Sequence, residues 1–253
     1  MDTMTQKEFR KIDDAARRIV AKKYGWRQSG YLNWIVEKDY YFSLLHLQPK
    51  DAIFEVKPLY FDDLWWEISG MFKNEKKPPM SLRGWGCAAI SSQEIARYDV
   101  IVNNPDSYTG DVLEKVWNGV FEKLSSDVHQ FLKDYPDANT FFPDESRVRA
   151  FDRDRLDYIM ALLHNDCYEE VISIITDAKS KNHECSFRGS KGDSYDYILE
   201  WCEKTLYKDE QTGETHHDYP ELQDDTSFAL VKRVKDYYLK KIAPMLLLCN
   251  VEE

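Results

Sequence analysis

The feature that most constrains this chain is a change of rhythm partway along it. Residues 31–61, YLNWIVEKDYYFSLLHLQPKDAIFEVKPLYF, alternate apolar and polar positions in short runs rich in aromatic and β-branched residues. From about residue 111 the apolar residues recur at three and four instead. Period two fits a pleated strand and period 3.6 a helix, so the spacing predicts a sheet-bearing front half and a helical back half. The expected class is α+β: an N-terminal helix and an antiparallel β-meander, followed by a helical C-terminal half. The expected domains are 1–105 and 106–253.

The N-terminal helix is expected over 5–24. Thr5 and Glu8 have the spacing of a capping box, and Phe9, Ile12, Ala16, Ile19 and Val20 make an apolar stripe. Gly25 is placed to end the helix, because glycine accepts a left-handed backbone. Strands are expected at 31–38, 40–48 and 52–60, with Lys38-Asp39 as the first turn. Connections this short join antiparallel neighbours, since a parallel crossover needs a dozen or more residues.

A short helix is expected at 62–72, a loop at 73–81, a strand at 83–90, a helical turn at 91–97 and a brief strand at 99–102. Downstream, helices are expected at 111–134, 154–164, 167–179, 193–207 and 227–242. The first of these carries Val112, Val116, Val120, Leu124, Val128 and Phe131 on one stripe, widened by Trp117 and Phe121. Asp193 or Ser194 is expected to cap the helix from 193.

Composition narrows the function classes. Of the 253 residues 43% are hydrophobic and 14% aromatic, enough for a substantial core. Forty-five acidic against 34 basic residues give a formal charge of -11, which disfavours a nonspecific nucleic-acid surface, permits a basic protein partner, and serves solubility in any case. The charged start lacks the apolar core of a secretory signal, and no run approaches the roughly 18 apolar residues of a membrane span. Five cysteines, odd in number and widely spaced, suit a reducing cytoplasm better than a disulfide framework.

Several residue groups invite a chemical reading. Asp51 precedes Glu55-Val56-Lys57, an acidic-x-Lys strand of the kind that holds Mg²⁺ in metal-dependent nucleases. Asp39 is a substitute for Asp51 in that set. Strand alternation alone would place Glu55 and Lys57 on a solvent face. His183, His216, His217 and Asp218 offer a zinc-type ligand set without the spacing of a compact zinc motif. The stretch from Phe187 to Ser194 is rich in Gly and Ser but lacks phosphate-loop spacing. His164 lies three residues before Cys167, and Cys202 falls in a helix; a thiolate nucleophile needs a base close by. Trp65, Trp66 and Trp26 are candidate partner contacts, because large rings offer much apolar area for little conformational loss. Two adjacent tryptophans on a helix point about 100° apart, so both need not face inward.

The segments KKYGWRQSGYLNW and YYFSLLHLQ resemble the uncharacterised bacterial family DUF4304. The resemblance covers the first 70 or so residues, with Gly25 and Trp26 at the turn after the helix and Leu47-Gln48 at a strand end. It implies a helix followed by a meander. It carries no catalytic residue across. Because some members are suspected to sit beside toxin genes, it implies an immunity-type binding role.

The leading expectation is therefore a non-catalytic, cytoplasmic protein-binding module for a basic partner, with no cofactor. Toxin neutralisation is its concrete version. The alternatives are a metal-dependent phosphodiesterase using Asp51, Glu55 and Lys57, and a scaffold that associates with copies of itself.

Overall fold

The structure is a computed structural model that describes residues 6–48, 51–69, 80, 82–85, 89–100, 109–143, 155–185 and 192–206. It is mixed α+β, with an N-terminal helix, a five-stranded antiparallel sheet and, among the described residues after 109, helices. Two compact units emerge, one from Met1–Leu59 with Ser91–Val148 and the other from Tyr60–Ile90 with Arg149–Glu253. Each is assembled from two stretches of chain, so the compact units do not follow the expected sequence boundary at 105/106.

In the first unit, α1 spans Gln6–Lys23. Thr5 lies outside the described residues. The helix ends as expected: Gly25 takes φ +80°, its N–H donates to Lys22 O, and the Trp26 N–H donates to Ala21 O. This paired bonding of the last carbonyls is the Schellman arrangement, which favours a residue without a Cβ at the left-handed position.

The sheet is a meander in the order β1-β2-β3-β4-β5. Its strands are β1 (Arg27–Ser29), β2 (Leu32–Glu37), β3 (Tyr40–Gln48), β4 (Asp51–Pro58) and β5 (Gln93–Asp99). Lys38 and Asp39 both have positive φ and form the tight β2–β3 turn, matching the right-handed twist of the flanking strands. In register, Trp34 pairs Ser43 and Ser43 pairs Glu55, while Val36 pairs Tyr41 and Tyr41 pairs Lys57.

Several sequence expectations are corrected here. β4 stops at Pro58 and Leu59 begins α2, since proline has no N–H to continue a ladder. The expected helical turn at 91–97 is β5. Its residues QEIARYD lack a clear period, and pairing with β4 decides their conformation. Where it is described, the expected strand at 83–90 is not extended: Leu82–Trp85 form a helical turn, α3, and residues 86–88 lie outside the described residues. β1 was not anticipated: three residues are too few to show alternation.

Helix α4 spans Gly110–Asp134, with the Thr109 side chain accepting from the Val112 N–H. Its buried stripe is Leu113, Trp117, Val120, Phe121, Leu124, Val128, Phe131 and Leu132, so Leu113 and Trp117 take the places expected of Val112 and Val116. α4 packs along α1, and its aromatic residues meet one face of the sheet. Phe131 lies edge-on to Tyr40 at 5.1 Å and to Phe42 at 5.6 Å between ring centres. Edge-to-face rings complement one another's quadrupoles.

The second unit contains α2 (Leu59–Ile68), α3, α5 (Leu156–His164), α6 (Tyr168–Ser180) and α7 (Ser194–Leu206). α5 packs on α6 and α6 on α7. Asn165-Asp166 is the expected joint, with Asp166 in the left-handed region. Asp193 Oδ1 accepts from the Tyr195 and Cys185 N–H groups, which caps α7 as expected. The expected helix at 227–242 lies outside the described residues. No helix among the described residues is long and apolar enough to cross a membrane.

Candidate functional site

The three tryptophans expected to contact a partner are buried: Trp65, Trp66 and Trp26 expose 0%, 3% and 5% of their surface. Trp26 lies edge-on to Phe121 of α4 at 5.9 Å. Trp66 lies beneath the Arg83 guanidinium, 4.8 Å from its ring centre. Arg83 also reaches Asp63 at 2.5 Å and Asp62 at 3.5 Å, while Asp62 accepts from the Ile90 N–H at 2.8 Å. This knot ties α2 to the segment before β5. The tryptophan rings give their area to the interior and not to an exposed surface.

The acidic-x-Lys strand is also placed differently from its expected solvent face. Glu55 and Lys57 are 7% and 0% exposed. The Lys57 ammonium sits 5.9 Å from the Tyr41 ring centre, the residue paired with it across the strands. An ammonium over a ring face is attracted by its electrons, which offsets part of the loss of water. Asp51 does not join them. Four residues of strand separate it from Glu55 by about 13 Å, too far for two carboxylates to share an ion with ligand distances of about 2.1 Å. Its carboxylate is held instead by Arg97 at 2.8 Å. Asp39 is exposed in the β2–β3 turn. Among the described residues no three His, Cys, Asp or Glu converge as metal ligands. His183 is exposed after α6. His216, His217 and Asp218, and most of the stretch from Phe187 to Ser194, lie outside the described residues.

The cysteines divide by environment. Cys167 is half-buried before α6, its thiol donating to Asn165 O at 3.4 Å. Cys202 is buried in α7, and burial, with Glu203 adding to it, pushes its thiol up to about 12. That keeps Cys202 protonated and a poor nucleophile at neutral pH. His164 stacks on Tyr60, with ring centres 3.7 Å apart.

The structure also assembles a polar node that the sequence reading missed. Asp13 of α1 accepts from Trp117 Nε1 of α4 at 2.8 Å, and its other oxygen lies 3.1 Å from His46 Nε2 of β3. His46 Nδ1 lies 2.9 Å from the Asp51 carbonyl. Arg17, one turn after Asp13, is fully buried and donates to the carbonyls of Tyr31 and Gly30 at 2.9 Å each and to Asp14 at 2.5 Å. Burial holds its guanidinium below the usual range, while Asp14 and then Asp13 pull the other way. One signal was legible: Asp13 and Arg17 share a helix face with Ala16, Val20 and Ala21, and His46 continues the Phe42-Leu44 alternation. Polar residues on an inner face ask for partners, and those partners are distant in sequence.

The second unit carries a charged surface. Over residues 155–185 and 192–206, ten residues are acidic and four basic. Three of the four bases already pair within this set: Lys179 with Asp196 and Asp193, Lys181 with Asp177, and Lys204 with Glu200. Glu169, Glu170, Glu184 and Glu203 are exposed, and none has a cationic partner among the described residues.

Comparison of the chain with models of protein families, with curated proteins and with solved structures gives no match.

Proposed function

We propose that this chain is a protein-binding module that acts without catalysis and receives a basic partner on the acidic surface of α5–α7. The observation that carries this reading is the charge imbalance over α5–α7, ten acids against four bases, with Glu169, Glu170, Glu184 and Glu203 exposed and without a cationic partner among the described residues. Unpaired exposed carboxylates attract a basic protein at long range and orient its approach, raising the association rate more than the final affinity. The acids on the first turn of α6, Glu169 and Glu170, also complement their own helix's field. The excess over α5–α7 remains after that role is granted. Neutralisation of a basic toxin is the concrete form of this reading, in line with the resemblance of the first 70 or so residues to DUF4304.

The test is affinity capture with the intact chain, followed by surface plasmon resonance of each captured protein at low and high salt, which reads association and dissociation rates separately. The expected partner is basic, binds more weakly as salt rises, and loses about tenfold in association rate with Glu169→Lys/Glu170→Lys. Partners captured equally by the charge-reversed chain, or no specific partner at all, would overturn the reading.

A further inference from the structure

Helix α1 runs against the charge of the rest of the chain. It holds seven basic and three acidic residues in a protein of formal charge -11. Asp13 is buried against His46 and Trp117, and Asp14 pairs with Arg17 of the same helix, which takes that acid and that base out of the balance together. Lys7, Lys11, Arg18 and Lys22 are all exposed, and none has an ion-pair partner among the described residues. Their spacing of four, seven and four residues puts them on one ridge, within about 60° of arc and about 22 Å long.

This ridge is not explained by the needs of the helix. Basic side chains suit a helix's last turn, which accounts for Lys22. Lys7 and Lys11 sit in the first turns, where the helix field opposes positive charge. Lys7 with Lys11, and Arg18 with Lys22, are also like charges at i,i+4, an arrangement that disfavours the helix. Beside them stands Ile19. The apolar periodicity places it in the buried stripe, yet it is 57% exposed, more than any other large hydrophobic side chain among the described residues.

We infer that the outer face of α1 is a second docking surface, for an acidic protein segment that carries an apolar side chain onto Ile19. Carboxylates on the partner match the ridge, and the apolar contact covers the isoleucine. A nucleic acid presents phosphates but no apolar side chain to cover Ile19, so it matches the ridge and leaves the isoleucine exposed. An anionic membrane needs a broader apolar face than one side chain, and the inner residues Ala16, Val20 and Ala21 are already buried. This surface lies on a different unit from the acidic one and attracts the opposite charge, so the two proposals stand or fall separately.

The experiment uses the full chain and a fluorescein-labelled, glutamate-rich peptide with leucines on one helical stripe, read by anisotropy. Duplex DNA and phosphatidylserine vesicles are titrated in parallel. The peptide is expected to bind the wild type more tightly than either competitor. Lys11→Glu/Arg18→Glu should weaken it by about tenfold, and Ile19→Ser should weaken it with the charge untouched. Circular dichroism checks that both variants fold, which exposed positions allow. No peptide binding, binding unchanged in both variants, or tighter binding of DNA or vesicles would overturn the inference.

Discussion

Asp13 and His46 face each other at 3.1 Å with both side chains buried, on a helix and a strand that are 33 residues apart in sequence. The carbonyl of Asp51 can only accept, so His46 Nδ1 carries a hydrogen toward it. With Trp117 donating to the other Asp13 oxygen, a single carboxylate fastens α1 to both α4 and β3.

Asp13→Ala should therefore cost about 3–5 kcal/mol, the range seen when one partner is removed from a buried charged pair. Asp13→Asn can still accept from Trp117 and donate to His46, so its cost should be about 1 kcal/mol. Urea unfolding midpoints compare the two. Equal losses would show that the node is fastened by packing and not by its hydrogen bonds.

Arg83→Met should destabilise the second unit by about 3 kcal/mol, since Arg83 is buried against Asp62 and covers Trp66. The loss should appear as earlier thermal unfolding followed by circular dichroism. An unchanged transition would mean that the Asp62–Ile90 hydrogen bond alone holds this corner.

Trp65→Ala should cost about 3–5 kcal/mol, the range for removing a large buried ring. Any loss of partner binding should track the unfolded fraction and recover at low temperature or with a stabilising co-solvent. A fully folded Trp65→Ala chain that fails to bind would instead place this ring in the recognition surface.

Alkali should weaken the fold. Burial raises the Cys202 thiol from 9.0 to about 12, with Glu203 adding to it. Burial also raises the Tyr98 phenol, with its hydrogen bond to Asp127 adding to it. For both groups the neutral form is favoured in the folded chain. Their stabilisation is therefore complete below the unfolded values and is lost as pH rises from there toward the folded ones. For Cys202 the window runs from about 9 to about 12. Unfolding midpoints should fall steadily through it, and alkylation mapped by mass spectrometry should reach Cys202 only as the chain unfolds. Rapid labelling of Cys202 at neutral pH would contradict this.

Local features proved readable where the determining interactions are short-range. The Gly25 helix end, the Lys38-Asp39 turn and the Asp193 cap each depend on a few neighbouring residues, and each forms as their chemistry dictates. Short runs rich in β-branched and aromatic residues, broken by Lys38-Asp39 and Pro49, located β2, β3 and β4. The residues QEIARYD gave no such signal; β5 exists because β4 offers it an edge. Ile19 was misplaced for a related reason. Helical period groups residues by angle, but the width of the buried arc is set by how closely α4 and the sheet approach.

The sequence by itself determined the class of the fold, its first helix and meander, and the main turns and caps, since these follow from propensity and period within a few residues. Only the tertiary structure decided that Asp13 would meet His46 and Trp117, that Glu55, Lys57 and three tryptophans would be buried, and that Ile19 would be exposed on α1. Those outcomes depend on contacts between residues far apart in the chain. A one-dimensional pattern records what each residue would prefer but not which neighbour the fold brings to it.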